Sequence, residues 1–290
     1  MVKLDWNYLK KRLDYLQNHR AFQKAPLPTI SRIAIWGAHC LLKVPATIGL
    51  SKWDCHFFLP PKLRKAGSTG IFVTREDYEP ELTYLDRLLS PGKVFVDGGA
   101  NFGIYTVVAS KLVGNSGVVL SFEPSPENFA ILQRNVELNK MENVKVFCSA
   151  ISDRDGTTRL YHIDNAPNSY SLGKDVNPTT DYEEISTVSL DSVLQREGLE
   201  RVDFLKLDVE GAEELVLRGA KSLFSRMRPI VLFEVSESAT KRLGLSTDGA
   251  WKMLEKLRYK LFTVGTKGEL VSLDAPKLGN NIAIPTEKSR

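Results

Sequence analysis

The sequence predicts an α/β fold built on a mostly parallel sheet with helices on both faces, and three observations carry that expectation. Strand-like and helix-like runs alternate between residues 93 and 257, the pattern of a parallel sheet crossed by helices. The strand-like runs are short, apolar and rich in β-branched residues, as Val94–Val96 and Val118–Phe122 illustrate, which suits strands buried on both sides. A glycine-dense turn, with Gly98, Gly99 and Gly103 inside six residues, joins the first of these strands to the first helix.

Taken in order, residues 3–20 have helical spacing, with Leu9, Leu13 and Leu16 on one side and Lys10, Lys11 and Arg12 elsewhere. Pro26 and Pro28 mark a break, and 30–42 forms a second helix ended by Pro45. His56–Leu59 and Gly70–Thr74 read as two short strands in a hairpin. Pro80 opens a helix, with Glu81 suiting its N-terminal dipole, and Pro91-Gly92 stops it. The core follows: strand 93–97, helix 102–112, strand 117–123, helix 125–139 and strand 143–148. Strands 157–163 and 185–190 flank a polar loop, 164–184, of a length that is often functional. Then come helix 190–197, strand 202–208, helix 212–226, strand 230–235 and helix 248–257. Runs 261–264 and 281–284 close the sheet as a terminal hairpin with one antiparallel strand. The chain divides into a helical N-terminal extension, 1–65, and a main domain, 66–290.

The glycine turn reads Asp97-Gly98-Gly99-Ala100-Asn101-Phe102-Gly103. Glycine lets the backbone turn sharply and a ligand approach, and the helix behind it aims free N–H groups forward. Glu123 ends the next strand, 24 residues beyond Gly99, where a carboxylate can accept both hydroxyls of a ribose. The spacing departs from the dinucleotide G-x-G-x-x-G and begins on a carboxylate, which a pyrophosphate would oppose. The charge suits a cationic amino group. S-adenosylmethionine fits this combination: an ammonium, a sulfonium and a ribose diol without phosphate.

The stretches FVDGGANFGIYT (95–106), LSFEPSPENFAILQRNVELN (120–139), SAISDRDGTTRLY (149–161), TVSLDSVL (187–194), VDFLKLDVEGAEELVLRGA (202–220) and PIVLFEVS (229–236) together resemble the FkbM family of S-adenosylmethionine-dependent methyltransferases. The resemblance covers roughly residues 70–285. It implies the Rossmann-like class I methyltransferase fold and O-methylation of a hydroxyl on a sugar, glycolipid, polyketide or other secondary metabolite.

Ligands of open α/β sheets bind beyond the carboxyl ends of the strands. There Asp97 and Asn101 are expected to hold the methionine end, with Gly98, Gly99 and Gly103 shaping the turn. Glu123 would take the ribose, and Ala150, Ile151 and Ser152 would border the adenine. Asp208 would meet the ammonium or face the acceptor; the resemblance implies the same roles. Methyl transfer needs acceptor, methyl and sulfur in line, and a hydroxyl acceptor must lose a proton. Asp208 and Glu210 are the first candidates for that base, and Glu234, ending the next strand, follows. The same carboxylates could instead hold a divalent cation, but no fixed-spacing ligand set supports one. His162, Asn168, Ser169, Tyr170 and Ser171 are the candidate acceptor contacts, since polar groups and an aromatic ring suit a hydroxyl-rich molecule.

Residues 1–65 carry 12 Lys/Arg against 3 Asp/Glu, and the remainder 27 against 32. The basic arm allows peripheral contact of residues 1–50 with an acidic membrane surface. The mildly acidic main domain argues against nucleic acid. Three scattered cysteines, Cys40, Cys55 and Cys148, fit buried thiols in a reducing, cytoplasmic compartment, and no secretory leader or spanning segment is apparent. Two other readings stay open: a nicotinamide-dependent oxidoreductase, and a non-catalytic membrane-associated scaffold that keeps the fold.

Overall fold

The computed structural model of the chain describes residues 16–62, 66–162, 170–172, 181–265 and 268–289. Its centre is an eight-stranded sheet. The strands β3 (Val94–Gly98), β4 (Val118–Phe122), β5 (Val144–Phe147), β10 (Phe204–Leu207) and β11 (Ile230–Val235) are parallel, in the spatial order β5-β4-β3-β10-β11. β14 (Gly279–Pro285) inserts antiparallel between β11 and β12 (Tyr259–Val264), and β13 (Leu270–Ser272) forms the edge. The expected terminal antiparallel pair is therefore present, with an additional short edge strand beyond it.

Strand alternation builds two cores, one on each face. Phe95 and Phe204 join the first, while Val94, Val96, Leu205 and Leu207 join the second, as a period of two requires. Helix α5 (Ile104–Val113) packs on the first face. Helices α7 (Leu190–Arg196), α8 (Glu213–Arg218) and α10 (Gly249–Lys256) cover the second. A smaller four-stranded sheet, in the order β6-β9-β7-β8, stands beside the main one. Its strands are β6 (Ala150–Ser152), β7 (Gly156–His162), β8 (Tyr170–Ser171) and β9 (Tyr182–Ser189).

The N-terminal part corrects several expectations. Helix α2 (Pro26–Leu42) begins at Pro26, because proline suits the first helical position. Gly70–Thr74 belongs to helix α3 (Ala66–Thr74). Ile71, Phe72 and Val73 are all buried there, and a run buried all round carries no alternation to separate helix from strand. The hairpin partner of β2 (Cys55–Leu59) is instead β1 (Ala46–Leu50), which buries every second residue. The outer edge of β2 is closed by side-chain amides of α6 (Pro126–Leu138) and its C-cap. Phe58 N–H donates to Asn135 Oδ1 and His56 N–H to Asn139 Oδ1, each at 2.7 Å. Trp36, Ile48, Trp53 and Phe57 of this region share one core with Phe95 and Val107 of the main sheet.

The long helix expected over 212–226 is interrupted. Gly219 lies so close to β6 that a Cβ there would stand 2.2 Å from the Ser152 carbonyl oxygen. The chain restarts with Asp191 accepting from the Ser222 and Leu223 N–H groups. Of the cysteines, Cys55 is buried, Cys40 is partly exposed and Cys148 is exposed, so the expectation of three buried thiols holds for one. The basic helix expected over 3–20 falls, up to residue 15, outside the described residues. Among those described, no helix is long and apolar enough to cross a membrane.

Candidate functional site

Strand order reverses between β3 and β10, since β4 and β5 lie to one side and β11 to the other. A crevice opens beyond the carboxyl ends of the strands at such a point. Here it is a cleft bordered by Gly99, Asn101, Glu123, Ile151, Asp208 and Glu210, among others. The turns after β3 and β10 touch along its floor. Gly99 has φ +73, and a Cβ on it would stand 1.9 Å from the Asp208 carbonyl oxygen. No other residue fits that contact without moving one turn.

Glu123 stands at the tip of β4 and is 4% exposed. Its two oxygens accept from separate backbone donors, Asn101 N–H at 2.8 Å and Ser125 N–H at 3.0 Å. Burial raises its pKa to about 7 against the pull of these donors. Its remaining lone pairs border the cleft, with Phe122, Ala150 and Ile151 as apolar neighbours. Leu160 of β7 and Leu172 add to that wall.

The other end is organised by a residue that sequence reasoning missed. Lys206, inside β10, is 5% exposed. Its ammonium donates to Gly99 O at 2.8 Å and lies 3.3 Å from Asp97 Oδ1 and 3.7 Å from Asp208 Oδ2. Burial alone would lower its pKa, yet the charges of Asp97, Asp208 and Glu79 together hold it above the ordinary lysine value. Asp97 has no exposed surface, and its other oxygen accepts from the Thr106 hydroxyl at 2.7 Å. Its charge is thus met inside the protein. Asp208, with a side chain 45% exposed, carries the surplus negative charge to the cleft. The available signal was a lysine in an otherwise apolar strand, Phe204-Leu205-Lys206-Leu207, where an unpaired charge is not tolerated.

Further carboxylates gather around this lysine. Glu79 accepts from Tyr105 Oη at 2.5 Å, and burial, reinforced by the charge of Asp208, brings its pKa to about 7. Burial, then the charges of Asp208, Glu210, Glu213 and Glu79, raises Glu234 to about 8. Glu213 accepts from Val209 N–H at 3.1 Å and is likewise raised by burial to about 7, so it braces the turn after β10. Glu210 adopts a left-handed backbone, φ +53, and lies 3.8 Å from Arg242.

The remaining sequence candidates fall as follows. Gly98 ends β3, where a Cβ would stand 2.4 Å from Ile151 Cδ1, and Gly103 caps α5 with φ +84. Ser152 is buried, and its hydroxyl is directed to Asp153. Asn101 borders the cleft with its side-chain oxygen buried and without a hydrogen-bond partner. His162 ends β7 and pairs in register with Tyr170 of β8, while Tyr161 pairs with Ser171. Asn168 and Ser169 lie outside the described residues. No group of three or more His, Cys, Asp or Glu with metal-holding geometry occurs among the described residues.

Residues 97–261 match the profile of the Methyltransferase FkbM domain. The chain belongs to the FkbM methyltransferase family. This FkbM-family chain is 31% identical over 153 residues to Methyltransferase sdnD of Sordaria araneosa, across 43% of the chain and 59% of that protein. It is 31% identical over 173 residues to 31-O-demethyl-FK506 methyltransferase FkbM of Streptomyces tacrolimicus, across 49% and 65% respectively. With 2-O-methyltransferase NoeI of Sinorhizobium fredii it shares 29% over 122 residues, across 37% and 49%. The matched segments span between about half and two-thirds of these relatives' lengths. The strand order and the cleft at the reversal give the FkbM-family chain the Rossmann-like architecture of class I methyltransferases.

Proposed function

We propose that this chain transfers a methyl group from S-adenosylmethionine to the oxygen of an acceptor hydroxyl. The observation that carries the reading is Glu123: a buried carboxylate at a strand tip, fixed by two backbone donors, facing a cleft whose far end bears the negative Asp208. A rigid acceptor pair suits a ribose diol. The apolar wall of Phe122, Ala150, Ile151 and Leu160 suits a purine. The orphaned Asn101 oxygen and the surplus charge at Asp208 suit an ammonium. The group so held would supply an electrophilic methyl carbon on a positively charged sulfur.

The chain's own part is to hold, orient and move one proton. Lys206 ties the turns after β3 and β10 together, so Gly99 and Asp208 keep a fixed separation. Asp208 and Glu210 border the acceptor end, and Glu234 lies near enough for their charges to raise its pKa. Glu234 is the fitting proton acceptor, because a base works best when its pKa lies near the working pH and its own lies at about 8. Relatives named for O-methylation support oxygen as the receiving atom. The polar segment around His162, Tyr170 and Ser171, with Asn168 and Ser169, would read a hydroxyl-rich small molecule or glycan.

Incubation of the full chain with methyl donor and a panel of polyhydroxylated acceptors, read by mass spectrometry, tests the reading. One added methyl per acceptor is expected, lost when the target hydroxyl is removed. Transfer to nitrogen or carbon would refute the oxygen assignment. The rate should rise with pH through about 8, and Glu234→Gln should abolish that limb while lowering kcat by about 100-fold or more.

A further inference from the structure

Helix α2 presents an apolar face to solvent. Thr29 and Trp36, two turns apart, are buried against the body of the protein. The opposite side leaves Leu27 79%, Ile30 51%, Leu41 83% and Leu42 70% exposed, with Ile33 and Ile35 at its margins. This is far more than the scattered apolar exposure of an ordinary surface. The helix lies along the surface for about 25 Å.

The sequence that carries this face is basic. Residues 15–53 contain five Lys/Arg and no Asp or Glu. Arg20 and Lys24 are spent on Asp77, but Arg32 and Lys43 stay on the helix and its cap. Beside the apolar face runs a groove lined by Arg32, Ile35, His39, Thr47, Phe72 and Arg75. The Arg32 guanidinium donates to the Val73 carbonyl at 3.3 Å, and that of Arg75 lies 4.7 Å from the Phe72 ring centre. Burial and then the charge of Arg32 lower the Arg75 pKa to about 10, against the pull of Glu76, and both guanidinium groups border this groove.

We propose that α2 is an interfacial anchor for an anionic lipid surface, its Leu27–Leu42 face entering the acyl boundary while Arg32, Arg75 and Lys43 meet headgroup phosphates. Apolar insertion flanked by basic residues is the composition such helices require. A second copy of the chain fits poorly. A two-fold pairing sets the same patch against itself, which would bring Arg32 and Lys43 against their own copies with no acidic residue between 15 and 53 to answer them. The inference is independent of the methyl donor, so donor binding and lipid binding can fail separately.

Flotation of the full chain with vesicles tests it. Phosphatidylcholine–phosphatidylglycerol vesicles should bind it about tenfold or more tightly than pure phosphatidylcholine, with the difference shrinking as salt rises. Leu27→Glu with Leu41→Glu should cut binding to anionic vesicles by about tenfold or more, while the melting temperature stays put, because both side chains already face water. Should the glutamates impair folding, Leu27→Ser with Leu41→Ser keeps the comparison. Arg32→Glu should remove most of the preference for anionic lipid. Equal binding to neutral vesicles, no binding, or binding untouched by the Leu27 and Leu41 changes would overturn the proposal. So would a concentration-dependent dimer that those changes dissolve.

Discussion

The two ends of the cleft use the same kind of group in opposite ways. At the β4 tip, Glu123 is held by neutral backbone N–H donors, and the charge of Lys206 acts on it less than burial and those donors do. At the β3–β10 junction, Asp97 and Asp208 flank the Lys206 ammonium within 3.7 Å, two carboxylates against one cation. The first arrangement leaves a carboxylate free to accept hydrogen bonds from a neutral partner. The second fixes a rigid charged joint and exports one net negative charge. Backbone donors hold the proposed ribose acceptor in place; a buried counter-ion holds the architecture.

That contrast can be broken by substitution. Lys206→Met leaves Asp97 buried without its counter-charge and should cost about 3–5 kcal/mol of stability, measured by urea denaturation. Adding Asp97→Asn should restore part of the loss, and strict additivity would mean the two do not interact. Gly99→Ala forces a Cβ toward the Asp208 carbonyl at a positive φ and should cost about 3 kcal/mol, while also weakening donor binding. Glu123→Gln should behave differently: a loss of only about 1–2 kcal/mol, because its amide nitrogen cannot accept from one of the two backbone N–H donors, but donor affinity about tenfold to a hundredfold lower by calorimetry. A large stability loss there would erase the distinction between the two ends.

A separate effect is on pH. Glu79, Glu123 and Glu213 have pKa values raised to about 7 and Glu234 to about 8, against an ordinary 4.5. The folded chain therefore binds protons that the unfolded chain has released between those limits. Their contribution to stability is full below about 4.5 and is lost as pH rises through 7 to 8. The ligand-free melting temperature should fall from pH 5 to pH 8 by about 10 °C or more, given about 2–4 °C per kcal/mol. A rise over that interval would show that the four carboxyls are not desolvated together. Bound donor should flatten the decline, since its positive charge favours the ionised forms.

Much of this was legible in the residues, for physical reasons. Parallel strands buried on both faces read as apolar runs, so β3, β4, β10 and β11 stood out, and glycine with a terminal carboxylate marked the cleft. Where burial was uniform the signal failed. Ile71, Phe72 and Val73 carry no period, so α3 read as a strand. Ala46-Thr47-Ile48-Gly49-Leu50 does alternate, but it follows a long apolar stretch that hid it. Asp97 was legible as important, yet its partner was not, because Lys206 lies 109 residues away in sequence and only the pairing of β3 with β10 joins them. Glu79 was hidden by its place before Pro80, where a carboxylate already has a reason to sit at a helix start. The break at Gly219 depends on the approach of β6, a contact that local helical propensity does not encode.

Calorimetric titration of S-adenosylhomocysteine into the intact chain, repeated at pH 8 and pH 6, bears most directly on the cleft. The product lacks the sulfonium charge but keeps the ribose and the ammonium, so one molecule should bind per chain, more tightly at pH 8, where Glu123 is ionised, than at pH 6. Absence of a saturable signal at both pH values, or an affinity that Glu123→Gln leaves unchanged, would contradict a cleft built to hold the methyl donor.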